Sequence, residues 1–196
     1  MAEEAIEHGR RKAKVPWTEP VLSLLREWHD RAAVSQQAHF VIATRLTRYN
    51  IWLGIPVVAL ATFVGTSVFA TLQKDVGTSL RILVGLVSVI AAVLASLQTF
   101  LRFQERGEKH RSAAEHWSAI RREILQMLAV HPDYLPDNSD PKAHLDQLRK
   151  EMDRISAQSL EIGERDWSRA RQTLETNGSL LGEGIVARAA ARLNDG

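Results

Sequence analysis

The chain has no cysteine among its 196 residues, which excludes disulfides, a thiol nucleophile and cysteine-ligated metals. It also lacks a glycine-rich phosphate loop following a strand, and no convincing strand is present. Seven histidines stand at positions 8, 29, 39, 110, 116, 131 and 144, yet no pair has the i, i+4 spacing around a glutamate that metalloproteases use. Glu108, His110 and Glu115 lie close together, at spacings ordinary for a solvated helical face. Catalysis is therefore not expected, and neither a cofactor nor a metal is. The most informative absence is charge: the 25 residues from Tyr49 to Gln73 and the 20 from Ile82 to Leu101 carry none.

What fills those runs is apolar. As helices they would extend roughly 37 Å and 30 Å at about 1.5 Å per residue, enough to cross a hydrocarbon core. Between them, Lys74 to Ser79 is a break too short for anything but a tight turn, with Thr78 or Ser79 placed to cap the second helix. The pattern predicts a transmembrane helical hairpin with spans at about 50–73 and 80–101. The alternative is a soluble bundle with two buried central helices, which the 24% of charged residues does not exclude. Buried helices of soluble proteins, however, rarely run 20 positions without charge, because one edge usually meets water. The first span also carries Gly54, Pro56, Gly65, Thr62, Thr66, Ser67 and Thr71. Membrane helices tolerate glycine and proline, and hydroxyls can bond back to helical carbonyls.

Charge sets the expected orientation. Arg31, Arg45 and Arg48 precede the hairpin, and Arg102, Arg106, Lys109, Arg111 and Arg121 follow it, whereas the turn has only Lys74 and Arg81. This asymmetry argues for two cytoplasmic termini and an outward-facing turn. Tyr49, Trp52, Phe100 and Phe103 would mark the inner interface. A membrane protein needs its basic residues there, so the net charge of +2 gives no reason to expect a nucleic-acid partner. The first 30 residues contain no continuous apolar core, so the first span is expected to act as an uncleaved anchor.

The flanking segments read as helices. Residues 1–17 form a polar tail with a basic cluster at Arg10, Arg11, Lys12 and Lys14, either drawn to anionic lipid or simply solvated. Thr18 as cap and Pro20 in the first turn predict a helix start. Leu25, Trp28, Ala32, His39 and Ile42 then recur near helical spacing, with no glycine or proline from 21 to 53. The cytoplasmic helix at about 19–49 is thus expected to run directly into the first span. His39 reads as a packed core histidine rather than a ligand. After the second span, Ala113, Trp117, Ile120, Ile124 and Leu128 share one face of a helix over about 102–130, with only Gly107 as a possible breaker. Pro132, Pro136 and Asp137 to Asp140 predict a loop. Pro141 then opens a helix at about 141–176, with a heptad-type seam at Leu145, Leu148, Met152 and Ile155 and a shifted stripe at Leu160, Trp167, Ala170 and Leu174. Asn177 and Gly178 end it, and 177–196 is a tail that includes a weakly amphipathic segment. The fold class is therefore all-α, a membrane hairpin extended into a cytoplasmic antiparallel helical stalk plus a C-terminal helix.

The spans carry one further signal. Ala61 and Gly65, and Ser88, Ala92 and Ser96, place small residues one turn apart, which lets helices approach closely in lipid. Thr62, Thr66 and Gln73 form a rough polar stripe on the first span, with Ser88 and Ser96 on the second. Such stripes either pack within one hairpin, hydroxyls bonded to their own backbone, or line a path in a homo-oligomer.

The segment from Phe103 to Ile124, FQERGEKHRSAAEHWSAIRREI, directly follows the two-span region and resembles the SLATT family, the SMODS and SLOG-associating two-transmembrane effector domains of bacteria. The resemblance covers about residues 20–175, within a SLATT-like domain expected over 18–175, and the family-like positions on the cytoplasmic helix are Lys109, His110, Trp117, Arg121 and Arg122. It implies a membrane effector of antiviral or conflict systems that works in the bacterial inner membrane, with a nucleotide-synthesising or nucleotide-sensing protein as partner. On activation such an effector is expected to oligomerise and form a pore or otherwise disrupt the membrane. The alternative is a passive anchor or scaffold that recruits a cytoplasmic partner.

Overall fold

The computed structural model describes residues 18–71, 77–129 and 141–182, and these form α-helices with no strand among them. The helices are α1 (Glu19–Thr71), α2 (Thr78–Leu101), α3 (Phe103–Ala129), α4 (Pro141–Gln158) and α5 (Glu164–Thr176). Helix α1 is 53 residues long and contains Pro56, so the predicted run from a flanking helix into the first apolar segment is one helix. Its first turn is closed by the Thr18 carbonyl, which accepts the Val21 and Leu22 N–H groups. The basic tail, the turn at 72–76 with Gln73 and Lys74, the loop at 130–140 and most of the C-terminal tail fall outside the described residues.

Three local expectations need correction. Helix α2 starts after Gly77 with no side-chain cap, so neither Thr78 nor Ser79 acts as the expected capping residue. The chain does not pass from α2 into α3 as one helix, because Arg102 adopts φ 46 and ψ 40 between them. Left-handed backbone in a non-glycine residue costs about 1–2 kcal/mol, and no glycine or proline announces it. The helix expected over 141–176 is two, α4 and α5, separated by an irregular segment whose last residue, Gly163, caps α5 with its carbonyl. The slip of the apolar pattern after Ile155 marks that break.

The end of α5 follows its sequence. Gly178 takes φ 62, donates to the Glu175 carbonyl, and lets the Ser179 N–H reach the Leu174 carbonyl. That pair of bonds is a Schellman motif, and glycine is the residue that takes the left-handed position without a Cβ clash.

The chain divides into two compact units, one made of residues 1–38 and 113–196 and the other of 39–112. The first has two apolar clusters. One joins Leu25 and Ala32 of α1 to Trp117, Ile120, Ile124 and Met127 of α3 and to Leu148, Met152 and Ile155 of α4. The heptad seam of α4 thus packs on the stripe of α3, and each fully buried Leu or Ile contributes about 1.5–3 kcal/mol. The other cluster seats Ala170 and Leu174 of α5, together with Leu180, against Ala33, Val34 and Ala38 of α1.

The second unit holds the apolar runs. Among the described residues, two helical stretches are long and apolar enough to cross a membrane, and none of either apolar window is buried. Ile55, Val58, Ile82, Leu86, Val89 and Val93 are all more than half exposed. A soluble bundle with central apolar helices would bury these side chains, and this chain leaves them uncovered.

Candidate functional site

Polar side chains inside the helical packing are the features that need a reason, since a buried polar group costs free energy unless it is bonded. In the first unit, His29 is 1% exposed and lies between two partners. The Arg121 Nε–H donates to His29 Nε2 at 3.1 Å, and His29 Nδ1 is 2.9 Å from Asp30 Oδ1. Arginine nitrogens only donate, so Nε2 must accept and Nδ1 must carry the proton given to Asp30. Asp30 in turn accepts the backbone N–H groups of Leu181 and Gly182, both at 2.8 Å. A hydrogen-bonded chain therefore runs from α3 through α1 to the segment after α5. Burial raises the Asp30 pKa, but the His29 bond and the two amides outweigh it and hold the carboxyl below its ordinary value. Gly182 makes a close approach here: a Cβ would lie 3.0 Å from Asp30 Oδ2, so a larger residue would have to displace the carboxylate by a few tenths of an ångström.

In the second unit, His39 of α1 and His110 of α3 are 1% and 3% exposed, with their Nδ1 atoms 2.8 Å apart and ring centroids at 5.0 Å. One ring donates and the other accepts, so the Nδ1 pair holds a single proton. Desolvation, and next the neighbouring His110, push the His39 pKa down from 6.5 to about 4. His39 is accordingly a packed histidine, neutral near pH 7. Close approach beside the pair comes from Gly107, where a Cβ would meet the Ala43 carbonyl, Leu46 and Thr47 at 3.6 Å. Gly54 lies similarly near the Gln98 amide. The Tyr49 and Phe103 rings are 5.9 Å apart, while Trp52 and Phe100 are 73% and 82% exposed.

The small and hydroxyl residues of the spans are distributed differently. Thr62 donates to the Val58 carbonyl, Thr66 to those of Thr62 and Phe63, Ser88 to that of Val84, and Ser96 to that of Ala92. Ala61, Gly65 and Ala92 are exposed, and among the described residues nothing lies within 4 Å of the place a Gly65 Cβ would take. Among the described glycines of this unit, those with a neighbour within 4 Å of a Cβ position are thus Gly54 and Gly107, outside the Ala61/Gly65 pattern. Gln73 falls outside the described residues.

Two unburied apolar runs and helical flanks with a bonded histidine pair are the setting for the family comparison. The family model for SMODS and SLOG-associating 2TM effector domain family 4 matches residues 21–181. The chain belongs to this SLATT family. Comparison with curated proteins and with solved structures gave no match. Membership, together with the two apolar helices, makes the chain a membrane-associated effector-domain protein.

The five SLATT-like positions on α3 separate by environment. His110 belongs to the buried pair, Trp117 is 3% exposed in the first cluster, and Arg121 bonds His29. Lys109 bonds Glu105 on the surface, and Arg122 bonds Ser118. Sequence reasoning named His110 and Arg121 but missed their partners. One signal was available: stepping back from Ala113 by three places His110 and then Gly107 on the buried stripe.

Proposed function

We propose that this SLATT chain is a non-catalytic effector held in the bacterial inner membrane by a two-helix hairpin, with both termini cytoplasmic and the flanking helices forming an antiparallel stalk. The observation that carries this reading is that the apolar windows of both candidate spans are 0% buried, so lipid or further copies of the chain must cover them. The hairpin is supported by contacts whose numbers run in opposite senses: His39 with His110, Thr47 with Gly107, Tyr49 with Phe103, and Gly54 with Gln98. Self-association is supported by the open face at Ala61, Gly65 and Ala92, where a second copy can approach closely.

In this reading a nucleotide or partner-protein signal alters the packing of the cytoplasmic helices, and oligomerising spans then open a leak. Within a single chain the span hydroxyls bond to their own carbonyls, so any polar path has to form between copies. Induced expression in bacteria, together with the candidate signalling partner, should collapse membrane potential and admit a membrane-impermeant dye. Unchanged potential in cells whose membranes contain the protein would leave a passive anchor in place of the effector.

A further inference from the structure

The first unit contains a cavity of about 510 Å³ bounded by α1, α5 and the segment Leu180–Gly182. That volume is in the range of small-molecule sites, which run from about 300 to 1,000 Å³. Its apolar wall is Val34 and Leu180, both buried, with the half-buried Trp167. Its polar lining is dominated by three guanidinium groups, Arg26 and Arg31 from α1 and Arg171 from α5. Neither the histidine pair nor the apolar spans take part in it.

Among the described residues the lining has three arginines and two carboxylates. Asp30 is already bonded to His29 and to the Leu181 and Gly182 amides, so among the described residues Glu27 is the lining carboxylate outside that network. Arg26 bonds Glu19 at 2.8 Å and Arg171 bonds Glu175 at 2.6 Å, but these carboxylates are 75% and 34% exposed. An exposed pair such as Arg26 with Glu19 contributes little. Arg31 has no hydrogen bond or ion pair among the described residues. Arginine forks match phosphate oxygens two at a time, and indole and guanidinium planes stack on flat rings.

We propose that this cavity binds a small phosphorylated molecule carrying a flat ring, a nucleotide by chemical class, with phosphate held by Arg26, Arg31 and Arg171 and the ring against Trp167. Asp30 is a positioning residue, because it fixes the Leu180–Gly182 wall. What occupancy does to the membrane rests on the effector reading, whereas occupancy itself does not.

The test uses the full chain in detergent or nanodiscs and ATP bearing a fluorescent ribose label, with polarisation reporting binding and energy transfer from tryptophan reporting proximity. Saturable, salt-sensitive binding is expected, with AMP competing at least tenfold better than inorganic phosphate. Arg31→Gln combined with Arg171→Gln should weaken binding tenfold or more, and Trp167→Leu should reduce both AMP competition and energy transfer while phosphate competition persists. Arg149→Gln, on the exposed face of α4, should change nothing, and helical circular dichroism checks that each variant is folded. Absence of saturation at millimolar ATP overturns the proposal, as does binding indifferent to the folded arginine double variant. Phosphate competing as well as AMP overturns the ring assignment. Binding without any membrane leak refutes the effector reading alone, and leak without binding refutes this site alone.

Discussion

Acidification should destabilise the second unit through the His39 and His110 pair. His39 is held neutral by desolvation and then by its neighbour, with its pKa lowered from 6.5 to about 4. Between those values the unfolded chain binds a proton that the folded chain does not, so stability rises with pH across that window and falls on acidification. Integrating the linkage relation gives a loss of about 2 kcal/mol at pH 5 relative to pH 8, and about 3 kcal/mol at pH 4. Geometry agrees with the sign: the pair shares one Nδ1 proton across 2.8 Å, and charging both rings would set two N–H groups against each other. The assay is reversible denaturant unfolding in mixed micelles, followed by far-UV ellipticity at a series of pH values. The control is His39→Leu with His110→Leu, which replaces both partners by apolar groups and leaves no orphaned nitrogen. The double variant should flatten the pH dependence between about pH 4 and pH 6.5. An equally steep profile in that variant would refute the assignment, because the slope would then belong to other histidines.

Three more outcomes follow from the structure. Val89→Arg, at a side chain 61% exposed within the second apolar run, should cost about 2.5–3.5 kcal/mol of insertion and move the protein out of the membrane fraction; retention after carbonate washing would contradict the membrane role of α2. Asp30→Ala removes the acceptor of the Leu181 and Gly182 amides and should cost about 1–3 kcal/mol, read as faster hydrogen exchange at those two amides; the same loss should appear in the wild type as pH falls below the ordinary aspartate value. Arg102→Gly relieves the left-handed residue between α2 and α3 and should stabilise the chain by up to about 1 kcal/mol in thermal unfolding, whereas Arg102→Val, β-branched, should destabilise it.

Much of the architecture was legible because its causes are local. Two charge-free runs of sufficient length, a stripe at Ala113, Trp117, Ile120 and Ile124, a seam at Leu148, Met152 and Ile155, and the Asn177–Gly178 stop each express a helical period or a backbone preference within a few residues. Misread features lacked such a signature. Arg102 bends the backbone where no glycine stands, and α4 stops at Gln158, five residues before Gly163 opens α5, where the apolar spacing alone would have continued one helix. The candidate site was half legible: His39, His110 and Arg121 were named, but not what they bond.

By itself, the sequence determined that this protein is helical, that two of its segments suit lipid, and which faces of the flanking helices are apolar. These properties follow from residue type and spacing along one helix. Only the tertiary structure decided that His39 meets His110, that Arg121 bonds His29, and that Asp30 receives the amides of Leu181 and Gly182, contacts spanning 71, 92, 151 and 152 residues. The arginine and tryptophan cavity arose in the same way. Contacts so distant along the chain have no period to read; they exist because packing the apolar stripes brings particular polar side chains into one place and then requires each of them to find a partner.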